Sequence, residues 1–107
     1  MPSRRRSRER ALQVLFQWDL RKLPLDEAID NFYGSLITED EDGPPFEPPD
    51  PFMEVLARGA VRRAEEIDRA ISRHSEHWRL ERMPAVDRNI LRVAVYELLE
   101  KSTPAPV

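Results

Sequence analysis

Cysteine is absent from the chain. That excludes a disulfide scaffold, a cysteine nucleophile and a thiolate metal site. Glycine is scarce: Gly34, Gly43 and Gly59 are all there is, and no phosphate-cradling loop can be built from them. No run of 18 apolar residues occurs, so no segment reads as a membrane-spanning helix. The start of the chain, Met-Pro-Ser-Arg-Arg-Arg, is basic, but no apolar stretch of signal-peptide type follows it. The expected address is therefore the cytoplasm. Alternating strand patterns, Asn-Gly hairpin signals and internal repeats are also missing.

What is present fits one domain of 107 residues. A chain of this length buries roughly 65% of its unfolded surface and can fold alone. Apolar residues make up 40% and charged residues 35%, a wet but globular composition. The formal charge of −3 hides a segregation. Residues 1–10 carry five arginines and one glutamate, while residues 38–51 hold six acids, five prolines and no base. Outside that acidic segment the chain has 17 bases against 14 acids.

The pattern predicts a chain of helices. Ala11, Leu12, Val14, Leu15, Phe16, Trp18 and Leu20 spread over most of a first helix, about 4–22. They leave a narrow polar ridge of Arg6, Arg10, Gln13, Gln17 and Arg21, expected to face solvent. Its arginine-rich first turn opposes the helix dipole, which prefers acids at an N-terminus. Local disagreements of this kind mark functional sites. Pro24 ends the helix, and Asp26 is read as the cap of a second, with Ile29, Phe32, Tyr33 and Leu36 on one face. The acidic, proline-rich segment 38–51 reads as a surface loop. Asp50-Pro51 reads as an N-cap and first-turn proline. It opens a third helix of about 20 residues through Phe52, Leu56, Ala60, Ala64, Ile67 and Ile71. Gly59 inside it costs roughly 1 kcal/mol against alanine, which points to a close helix crossing there. Ser75 caps a short fourth helix with Trp78 and Leu80, and a fifth runs over about 84–101. That last helix is apolar around nearly its whole circumference, so it should be central and covered on several sides.

Among candidate sites the cluster Arg4, Arg5, Arg6, Arg8 and Arg10 is the sharpest. Guanidinium forks match phosphate oxygens bidentately and stack on bases. Gln13 and Gln17 lie one and two turns along the same ridge, where amide groups can bond base edges. A solvated, frayed terminus is the bland alternative. His74 and His77 lack the third ligand that a metal site needs. Asp87 and Glu97 stand about 15 Å apart along one helix, too far for paired acid–base chemistry. A salt bridge to an arginine or a partner contact suits them better. Phe16, Trp18, Phe52, Trp78 and Tyr96 fall at core spacing. No residue offers a convincing catalytic group, so the chain is read as a non-enzyme with no cofactor and no metal.

RRRSRERALQVLFQWDL over residues 4–20 resembles the opening of the NusB family of bacterial transcription antitermination factors. DRNILRVAVYELL over 87–99 resembles that family's second signature, and EIDRAISRHSEHWRLERM over 66–83 fits the connecting stretch. The resemblance implies an all-α, NusB-like helical bundle of about five helices, with the family's last two helices missing. One domain would then span 1–107, with N-terminal helices over 4–37, the loop over 38–51, incomplete C-terminal helices over 52–101 and a tail over 102–107. The implied function is RNA-binding transcription antitermination on boxA-type nascent RNA of ribosomal RNA operons. The implied partners are single-stranded boxA RNA, NusE (a small-subunit ribosomal protein) and the RNA polymerase antitermination complex. By motif the resemblance assigns RNA contact to Arg4, Arg5, Arg6, Arg8 and Gln13, and partner contact to Asp87. Arg10 comes from the ridge alone. A homodimer that completes the core is a further expectation. Three alternatives stay open: an accessory RNA-binding domain of a ribosomal RNA cytosine methyltransferase, a protein-interaction domain, and a non-functional fragment.

Overall fold

A computed structural model of the chain describes residues 3–39, 49–74 and 80–102, with side chains given through 35 in the first stretch and 101 in the last. Five α-helices and one 3-10 turn follow in order: α1 (Arg4–Arg21), α2 (Leu25–Glu39), α3 (Pro51–Arg62), α4 (Ala64–His74), the 3-10 turn (Leu80–Arg82) and α5 (Ala85–Ser102). The fold is the all-α bundle expected. The loop expected over 38–51 lies mostly outside the described residues, as do Ser75, His77, Trp78 and the tail.

Three boundaries differ from the pattern. Asp26 is not a cap; it lies in the first turn of α2, where its charge suits the dipole. The predicted 20-residue helix is two helices. The ladder breaks at Arg63, whose N–H closes α3 on the Gly59 carbonyl and whose carbonyl receives the Ile67 N–H of α4. Apolar spacing runs through this break unchanged, so periodicity could not reveal it. Leu80 belongs to a 3-10 turn rather than to an α-helix.

α1 lies against α2, α3 and α5 and carries the centre of the core. Ala11, Val14 and Leu15 are completely buried, together with Ala28, Met53, Ala57 and Ile67 from the neighbouring helices. At Gly59 α3 packs directly against α5: a Cβ there would overlap the Tyr96 ring. The crossing expected from that glycine is present.

The buried stripe of α1 also contains Ser7, Arg10 and Asp19. Arg10, expected on the solvent ridge, is only 6% exposed. Its NH1 lies 3.4 Å from the Asp50 carboxylate. The same carboxylate receives the Ser7 hydroxyl proton, Oγ lying 2.8 and 2.9 Å from its two oxygens, and caps α3 through the Met53 N–H. Asp50 is 1% exposed and must be neutralised where it stands. That requirement draws Arg10 inward. Phe16 and Leu20 take the outward positions instead, at 38% and 51% exposure.

α5 departs in the same sense. Its polar residues Asn89 and Arg92 are buried and Arg88 is nearly so, while Val86, Ile90 and Leu98 are exposed. The helix is central on one side only.

Candidate nucleic-acid interface

Ser3 starts α1 with extended backbone, and its Oγ accepts the Arg6 N–H at 3.1 Å. This cap satisfies one orphan donor of the helix N-terminus. It also permits a first turn of Arg4, Arg5 and Arg6 that contains no acid. All three are exposed. Arg5 approaches Glu9 at 3.7 Å, but with side chains 90% and 61% exposed this pair holds little.

Arg8 is placed differently. Its Nε donates to Glu97 Oε1 on α5 at 2.8 Å, and the side chain is 38% exposed. The salt bridge anticipated for Glu97 is therefore with Arg8. Arg4 and Arg8 also lie over one aromatic ring, that of Phe52, with Cζ 5.1 and 6.0 Å from its centroid. Phe52 is the second residue of α3 and half-buried against the core. Its part at this surface is not visible in the sequence, because a residue 44 positions from Arg8 gives no local signal.

The structure thus brings Arg4, Arg5, Arg6 and Arg8 to one end of α1. Arg10 does not join them; it turns into the core toward Asp50. Gln13 is exposed further along α1, beside an open groove of about 400 Å³ between α1 and α5. Leu12, Phe16, Gln17, Val86 and Asn89 line it with Arg21. Gln17 is half-buried, and its Oε1 is buried with no hydrogen-bond partner among the described residues.

Asp87 is exposed in the first turn of α5, a favourable place for an anion. Ten residues, about 15 Å of helix, separate it from Glu97 and so from the arginine end of α1. Asp87 lies at the other end of the molecule's α1–α5 face. Near the Asp87 end, where Asp19 meets Arg88 and Asn89, the Asp19 carboxyl is held below its ordinary carboxylate range. Burial pushes its pKa up, but the Arg88 hydrogen bond, the Arg92 and Arg88 charges and the Asn89 amide outweigh that and bring it down.

Among the described residues no group of His, Asp and Glu is arranged to hold a metal ion, and no helix is long and apolar enough to cross a membrane. His74 is exposed at the end of α4; His77 lies outside the described residues.

A model of the NusB family matches residues 5–107 of the chain. The chain is 54% identical over 107 residues to the transcription antitermination protein NusB of Solibacter usitatus (strain Ellin6076), an alignment covering 100% of this chain and 70% of that protein. With the protein of the same name from Koribacter versatilis (strain Ellin345) it shares 44% over 106 residues, covering 98% and 68%. Among solved structures, a chain in a crystal structure of a plectonemic RNA supercoil superposes with a TM-score of 0.78 at 30% identity, covering 99% of this chain and 72% of that one.

Proposed function

The chain belongs to the NusB family, and from that premise we propose that it acts in transcription antitermination by holding single-stranded, boxA-type nascent RNA at the N-terminal end of α1, with NusE as its protein partner. The observation that carries this reading is the set of four arginines, Arg4, Arg5, Arg6 and Arg8, gathered at one capped helix end with no acid in the first turn. Such a turn works against helix stability, and bound phosphate would reverse the penalty. Gln13, exposed further along α1, is assigned to base edges. Similarity to a chain crystallised with a plectonemic RNA supercoil supports an RNA ligand. The antitermination names of the Solibacter and Koribacter relatives favour this reading over an accessory methyltransferase domain.

Asp87, at the opposite end of the α1–α5 face, is assigned to NusE. There a carboxylate between exposed Val86 and Ile90 offers one charged and two apolar contacts. The separation from the arginine end lets RNA and protein bind together. RNA would meet a cationic surface rather than a groove reader, as suits single strands.

A gel-shift titration of the chain with boxA-type RNA, with and without NusE, tests both assignments. Tighter binding in the presence of NusE, lost in Asp87→Lys without loss of basal RNA affinity, is the expected result. Equal affinity for any polyanion, with no gain from NusE, would overturn the reading.

A further inference from the structure

Arg4 and Arg8 stand one turn apart on α1, and their guanidiniums share a single ring. With Cζ at 5.1 and 6.0 Å from the Phe52 centroid, both lie within the roughly 6 Å over which a ring face attracts a cation. Without the ring this arrangement is unfavourable. Like charges at i, i+4 repel, and each arginine gives up rotamer freedom when fixed.

Phe52 is itself held in place by the two residues that precede it. Asp50 caps α3 and binds the Ser7 hydroxyl of α1, and Pro51 opens the helix. Ser7 lies between Arg4 and Arg8 in the chain, so the contact that buries it also sets the ring beneath both guanidiniums. Glu97 supplies a third constraint by binding Arg8 through Nε. The NH1 and NH2 end of the Arg8 fork has no hydrogen-bond partner among the described residues, and that end can meet a phosphate bidentately.

We propose that Phe52 is a positioning residue for RNA: its ring, with Glu97, holds Arg4 and Arg8 in a preformed cationic fork before the strand arrives. The inference rests on the RNA-binding reading above. Preorganisation lowers the ordering cost of association, so it appears directly in affinity. The ring face is occupied by the two guanidiniums, and Phe52 acts through them rather than by stacking on a base.

The test is a double-mutant cycle with the full chain and a fluorescein-labelled boxA-type RNA, read by anisotropy. Phe52→Leu should weaken binding about fivefold. Phe52→Tyr, which keeps the ring face, should stay within about twofold of the native chain. In an Arg4→Ala/Arg8→Ala background, Phe52→Leu should change nothing further. Equal weakening in both backgrounds overturns the proposal, because Phe52 would then act without the arginines. Native affinity in Phe52→Leu overturns it too. If the native chain binds and the fourfold arginine variant does not, that last outcome removes only the role of Phe52. If the native chain itself fails to bind, the RNA reading falls first. A measurement on the native chain needs no variant to fold: the Arg4 and Arg8 Hδ protons should show upfield ring-current shifts by NMR. Unshifted resonances would refute the shared ring.

Discussion

Asp19 on α1 accepts a hydrogen bond at 3.1 Å from Arg92 NH1 on α5, and both side chains are 9% exposed. The pair sits in a network. The same Asp19 oxygen receives Arg88 Nε and Asn89 Nδ2. Arg92 turns its other nitrogens to the Asp68 carboxylate of α4, at 2.9 Å each, and lies over the Trp18 ring. One carboxylate on α1 thus fixes the rotation of α5 and, through Arg92, the position of α4.

Removing that carboxylate leaves Arg88 and Asn89 without their α1 acceptor. Asp19→Ala should therefore destabilise the chain by about 3 kcal/mol, in the range for breaking a buried ion pair. Urea unfolding followed by circular dichroism reads the difference. A loss under about 1 kcal/mol would show that α5 is oriented by its apolar contacts instead.

The same residue sets an acid limit. Its pKa in the folded chain is lowered, so it stabilises fully above the unfolded carboxylate value near 3.9. That contribution disappears as pH falls through the lowered folded value. The native chain should lose stability below about pH 4, and Asp19→Asn should lose less over the same interval. Urea midpoints at a series of pH values from neutral down into this acid range would show it; parallel curves for the two chains would count against this origin.

Gly59→Ala sets helix propensity against packing. Alanine gains roughly 1 kcal/mol in a helix interior, but its Cβ overlaps the rigid Tyr96 ring. Because the overlap is with several atoms of a rigid ring, overpacking should cost about 3 kcal/mol and win, giving a net loss of about 2 kcal/mol. Tyr96→Leu in the same chain should recover part of it, which thermal melts can measure.

Gln17 offers the opposite sign. Its buried Oε1 has no partner among the described residues, so Gln17→Met removes an unsatisfied acceptor while keeping shape. A gain of about 1 kcal/mol is expected. A loss would mean that the amide finds a partner in solution.

At the RNA site, replacing Arg4, Arg5, Arg6 and Arg8 with alanine should abolish most RNA affinity without unfolding the chain. The slope of log affinity against log salt should flatten by roughly 0.7 for each phosphate that the variant no longer neutralises. Unchanged affinity would move the site elsewhere.

Much of this is readable in one dimension. The arginine run, the Asp50-Pro51 start, the glycine at the α3–α5 crossing and the family motifs at both ends all declare themselves locally. Each depends on neighbours within one or two turns. The departures share one cause. Residue type marks Arg10, Asp19 and Arg92 as surface or as interruptions, and Phe16, Leu20, Val86 and Ile90 as core; the bundle reverses both groups. The partners of the buried polar residues lie 40 to 73 positions away, at Asp50, Asn89 and Arg92. No periodicity carries that distance.

Helix content, caps and the cationic end of α1 follow from backbone propensity and short-range charge, which any stretch of chain expresses alone. Which side of α1 and α5 faces inward follows from something else. A buried carboxylate must find a cation, and the cost of leaving it unpaired exceeds that of exposing a few aliphatic side chains. Only the packed bundle, with Asp19 and Asp50 already inside, poses that choice.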